Sequence, residues 1–168
     1  PVLVDLCIRH QFKDILQWGR IGKYIFVLER AYLDMNQLVI EYRVLSQSSG
    51  QQTFTDAFIS VTSQGQTFEE VAGNGGETGP RASLFSLPLV PKNTQPLQIH
   101  AIVSAIHPLP GAPGSSPPPI EHGLITFDFT LAYHGGLVVT PHQTITANGF
   151  SITLERVAIS PSETIIDG

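Results

Sequence analysis

Residues 22–33 read GKYIFVLERAYL, and residues 149–159 read GFSITLERVAI. Aligned on Leu28-Glu29-Arg30 and Leu154-Glu155-Arg156, Tyr24 pairs with Phe150, Phe26 with Ile152, Ala31 with Val157 and Leu33 with Ile159. Upstream, His10-Gln11 is echoed by His142-Gln143 across a gap of different length. In both copies apolar residues alternate, and the parity changes across the Glu-Arg step. Alternation with a period of two marks a strand with one buried face. Such a strand keeps its buried face through a parity change only if a residue is inserted, which is a β-bulge. Bulges are therefore expected at Glu29-Arg30 and at Glu155-Arg156. The shared parity switch, beyond the shared tripeptide, points to a duplication.

Working outward, the same periodicity recurs along the chain. Leu38, Ile40, Tyr42 and Val44 form one alternating set, and Ala57, Ile59 and Val61 another. Leu97, Ile99, Ala101, Val103 and Ala105 form a third, and Ile125, Phe127, Phe129 and Leu131 a fourth. Shorter candidates lie at 66–71 and 84–87. Residues 12–18 (FKDILQW) suit an edge strand or a short helix, with Gly19 and Gly22 crowding the latter. Roughly seven strands at hairpin spacings suit an immunoglobulin-like antiparallel β-sandwich. The fold expected is thus all-β, a sandwich followed by an incomplete second β-repeat. Its parts are an apolar N-terminal segment (1–9), the sandwich (10–135) and the second repeat (136–168).

The pattern resembles uncharacterised immunoglobulin-like ectodomain repeats of bacterial membrane-anchored surface proteins, some of them anti-sigma-factor-like. The resemblance rests on residues 149–156, on the Ser-Pro-Ser-Glu-Thr run at 160–164, and on the strands at 37–44 and 123–131. It implies a cell-surface location and no known chemistry.

Composition narrows the function. Only 14% of residues are charged, against about 25% in an ordinary soluble protein. A net charge of −5 and lysines only at 13, 23 and 92 leave no basic stripe for nucleic acid. No apolar run reaches the ~18–20 residues of a membrane-spanning helix. Cys7 is the single cysteine, so an intrachain disulfide is excluded; it is expected either buried as a small hydrophobe or paired between chains. The chain begins at Pro1, which reads as processed or excised.

Catalytic and metal signatures are missing from the pattern. The six histidines (10, 100, 107, 122, 134, 142) form no HExxH or HxH motif, and no GxSxG is present. No enzyme, cofactor or metal is therefore expected. Asp34 and Asn36, with Glu69-Glu70, offer few of the oxygens calcium needs, and Asp34-Met35-Asn36 reads more simply as a hairpin turn. Trp18, Tyr24, Tyr32 and Tyr42 would stack sugars only if exposed together, and otherwise belong to the core. The stretch at 73–80 reads as a flexible glycine-rich loop, and the proline-rich loop at 107–119 is expected to project from the sheet as either a recognition tip or a stiff spacer.

The second repeat supplies the functional expectation. Its apolar residues Leu137, Val139, Ile145, Phe150, Ile152, Leu154, Val157 and Ile159 lack a sandwich to enter. Donating these strands to a neighbouring copy would satisfy both their backbone and their side chains. The N-terminal residues Val2, Leu3, Val4, Leu6 and Ile8 are expected to donate in the same way. The expected partners are copies of the chain itself, assembled into an extracellular or surface filament. The alternative is a monomeric binding or spacer module of a membrane-anchored surface or signalling protein.

Overall fold

The computed structural model describes residues 11–50, 55–74, 80–86, 96–108 and 119–168. The N-terminal residues expected to donate (Val2, Leu3, Val4, Leu6, Ile8), with Cys7 and His10, lie outside them. So does most of the glycine-rich and proline-rich loops.

Eight strands make the first unit: β1 (Lys13–Ile21), β2 (Tyr24–Leu33), β3 (Gln37–Ser46), β4 (Thr55–Ser63), β5 (Gln66–Asn74), β6 (Arg81–Ser86), β7 (Leu97–Pro108) and β8 (Glu121–Leu131). They are ordered β1-β2-β3-β6-β5-β4-β7-β8, and every pairing is antiparallel. Within this order, β2-β3-β6-β5 and β4-β7-β8 reproduce the ABED and CFG sheets of an immunoglobulin-type sandwich. The strand count exceeds the expected seven because residues 13–21 form β1 and not a helix.

β1 pairs with β2 and runs antiparallel beside β8, so the sandwich is nearly closed into a barrel. Lys13 Nζ donates to the Thr130 carbonyl (2.8 Å) and Gln17 Nε2 to that of Asp128 (3.2 Å). Close approach at this seam depends on two glycines. A Cβ on Gly19 would collide with the Ile125 side chain, and one on Gly123 would lie 2.9 Å from Ile21 Cγ1.

The core is built from the alternating sets. Phe26, Leu28, Ile40, Tyr42, Ile99, Val103, Phe127 and Leu131 all lie in one buried cluster. Phe26 stacks on Tyr42 (ring centroids 4.8 Å) and meets Phe127 at 5.6 Å, which ties the two sheets together. Each fully buried side chain of this size contributes about 1.5–3 kcal/mol of transfer free energy.

At the first Leu-Glu-Arg the β2–β3 register skips one residue: Leu28 faces Tyr42 and Arg30 faces Glu41, leaving Glu29 extra. The inserted residue keeps Ala31 and Leu33 on the buried face alongside Phe26 and Leu28. Arg30 Nε then reaches Glu41 Oε2 at 2.6 Å.

The second unit contains β9 (Leu137–Val139), β10 (Gln143–Ala147), β11 (Phe150–Leu154), β12 (Arg156–Ile159) and β13 (Thr164–Asp167). β10 and β11 form a hairpin, and β13-β12-β9 form a separate three-stranded sheet. At the second Leu-Glu-Arg, Glu155 lies between β11 and β12, which belong to different sheets. Its N–H donates to the Asp167 carbonyl (2.9 Å), and Arg156 faces the same Asp167, so two residues oppose one there as at Glu29-Arg30. On the other side the ladder is interrupted at Pro141, which stands where Ile15 stands in the continuous β1 and lacks the N–H a ladder needs.

Candidate functional site

The second unit repeats the first three strands residue for residue at a constant offset, Leu28 to Leu154. Gln17 faces Leu28 and Ile21 faces Tyr24; at the same offset Gln143 faces Leu154 and Ala147 faces Phe150. Arg30 faces Glu41 and Leu33 faces Leu38; Arg156 faces Asp167 and Ile159 faces Thr164. Even Lys13 opposite Ala31 recurs as Val139 opposite Val157. The Arg30–Glu41 ion pair returns as Arg156–Asp167 at 3.1 Å. Leu16 and His142, again equivalent, are both non-glycine residues in the left-handed region (φ 52° and 47°). The partner of His142-Gln143 is therefore Leu16-Gln17, which corrects the expected pairing with His10-Gln11.

This equivalence assigns a meaning to the apolar residues of the second unit. Phe150 is 79% exposed, whereas its counterpart Tyr24 is 6% exposed; Ile152 is 72% exposed and its counterpart Phe26 is fully buried. Gln143, Ile145, Ala147, Phe150, Ile152 and Leu154 line an open groove on one face of the β10–β11 hairpin. Each corresponds to a position facing the first unit's interior. Among the described residues, β10 has β11 on one side and no strand on the other. Leu137, Val139 and Ile159 are exposed as well, while Leu154 and Val157 are half-buried. The sequence singled out most of this face but missed Gln143 and Ala147. Extending the alignment at a fixed offset would have found both, and Asn148-Gly149 (φ 52° and 80°) is the two-residue hairpin signal that frames them.

The unit is held to the first through the β2–β3 turn. Asp34 is fully buried. Its Oδ1 accepts from the backbone N–H groups of Asn36 (2.9 Å) and Gln37 (3.0 Å). Its Oδ2 accepts from the Tyr32 hydroxyl (3.0 Å) and from the Ser162 N–H (3.1 Å). Asn36 Nδ2 in turn donates to Ser160 Oγ (3.0 Å) and to the Glu163 carbonyl (3.3 Å). The turn at 160–163 is the equivalent of the turn at 34–37: Asp34 N–H donates to the Gln37 carbonyl (3.0 Å), and Ser160 N–H to that of Glu163 (2.9 Å). Burial, and then the negative charge of Asp34, push the Tyr32 phenol well above its ordinary range. The same two causes, in the same order, raise the Glu163 carboxyl and the Tyr133 phenol. Asp34 and Asn36 thus form a hairpin turn and an inter-unit joint, with the Asp34 carboxylate occupied by N–H and O–H donors.

Other candidates disperse. Tyr24, Tyr32 and Tyr42 are buried while Trp18 is 70% exposed, so the four make no sugar platform. His100 pairs with Asp128 and His142 with Glu155, each at 2.7 Å on the surface. His134 stacks on Tyr32 at 5.3 Å. Among the described residues no three His, Cys, Asp or Glu side chains converge as metal ligands.

No protein-family model and no curated protein matches the chain. A solved structure, a conserved domain protein from Bacillus anthracis, is similar in fold, with a TM-score of 0.64 at 14% identity. The match covers 92% of this chain and 53% of the other, so this chain spans about half the length of that protein.

Proposed function

We propose that the chain is a non-catalytic structural module of a cell-surface protein built from repeated immunoglobulin-like domains, with residues 136–168 presenting the open half of a second core. The observation that carries this reading is the exposure of Ile145, Phe150 and Ile152 on a face whose equivalents are interior in the first unit. Apolar area in register with a known core face is a surface made to be covered. The free edge of β10 adds backbone groups to the same demand. Such a face also supports the filament reading, in which copies of the chain satisfy it through strand exchange.

Sedimentation velocity across a concentration series, with negative-stain electron microscopy, tests the proposal. The chain is expected to associate reversibly, and the double variant Phe150→Thr/Ile152→Thr to stay monomeric with an unchanged circular dichroism spectrum. Small closed oligomers favour the module, and regular fibres favour the filament. A chain that stays monomeric at high concentration, with or without the two substitutions, would count against both.

A further inference from the structure

The groove on β10–β11 carries a specification for what fills it, because the first unit shows the equivalent position already filled. There the occupant is β8. Its Ile125 packs into the space left by Gly19, its Gly123 makes room for Ile21, its Phe127 meets Phe26, and its Asp128 carbonyl accepts from Gln17 Nε2. In the second unit the polar anchor is kept, since Gln143 stands where Gln17 stands. The two packing positions are exchanged in size. Gly19 becomes Ile145, and Ile21 becomes Ala147.

We infer that the β10–β11 groove accepts an antiparallel β8-like strand of a non-identical repeat, one bearing glycine or another very small residue opposite Ile145 and a larger residue opposite Ala147. The strand runs along the free edge of β10, offers a carbonyl to the Gln143 amide and sets an apolar side chain on Ile152. The β8 of a second copy is the wrong shape. Its Ile125 would be driven against Ile145, where even a bare Cβ on Gly19 collides with Ile125 in the first unit. Interiors close-packed in this way reject an added branched side chain while accepting a volume-conserving swap. The size exchange therefore disfavours insertion of a second copy's β8, and association of copies through Phe150 and Ile152 is by face-to-face contact without strand insertion. This inference rests on the groove being an open half-core, as proposed above.

The probe is a labelled peptide of residues 119–131, titrated into the full 168-residue chain and followed by fluorescence anisotropy. It is made with the native sequence and with Ile125→Gly. The Ile125→Gly peptide is expected to bind about tenfold or more tighter than the native one. In the chain variant Ile145→Gly the preference is expected to reverse or vanish, since the cavity is then that of the first unit. Equal binding of the two peptides to the unmodified chain would overturn the size rule and admit a second copy as occupant. Binding of neither, in a chain that still self-associates through Phe150 and Ile152, would overturn strand insertion while sparing the open half-core. Binding of neither in a chain that stays monomeric would sink both.

Discussion

Asp34 sits at the first turn and reaches across to the second unit, so its removal tests one residue's part in both. Its carboxylate accepts four hydrogen bonds, and truncation leaves buried donors unpaired. Asp34→Ala is expected to lower stability by about 2–3 kcal/mol, read as a lower urea midpoint at an unchanged slope. Hydrogen exchange at the Ser162 amide should accelerate while that at Ile99 stays slow. Tyr42 gives a second prediction at this scale. Burial, then the charge of Asp56 and a hydrogen bond to it, raise its phenol from 10.0 to about 12. A folded-state pKa above the unfolded one means the stability it confers is intact below pH 10 and lost as pH rises towards 12. The contribution of this phenol should thus be flat to about pH 9 and fall beyond it at up to ~1.4 kcal/mol per pH unit. Ultraviolet absorbance titration should show Tyr42 ionising late, and Tyr42→Phe should make the fall shallower.

Among the elements, β2 shows what a sequence can disclose. The parity change at Leu28-Glu29-Arg30 needs an extra residue, and the register skips Glu29. Deleting Glu29 would turn Ala31 and Leu33 outward, at an expected cost above about 4 kcal/mol, checked by loss of cooperative thermal unfolding. Glu155→Ala removes an exposed pair with His142 and should change stability by less than about 0.5 kcal/mol. At Glu155-Arg156 two residues again oppose one, Asp167, but the strands part there into two sheets, which parity along a single strand does not disclose. The chain before β10 holds Pro141 where β1 holds Ile15. The strands β3, β4, β7 and β8 were equally legible, since each keeps one face buried over at least seven residues. β1 was ambiguous: it is exposed on one face and only half-buried on the other, which blunts the period-two signal. The groove was half legible. Ile145, Phe150 and Ile152 announce themselves by type, while Gln143 and Ala147 acquire meaning only from the strand they match.

For the whole molecule, the joint between the units makes the shape of one turn depend on the other. Asn36 reaches Ser160, the counterpart of Asp34, while Ser162, the counterpart of Asn36, reaches Asp34. The exchange is unequal: a side-chain amide donates to a hydroxyl in one direction, and a backbone N–H donates to a buried carboxylate in the other. A change at either turn therefore reaches the far unit directly, without passing along the chain that links them.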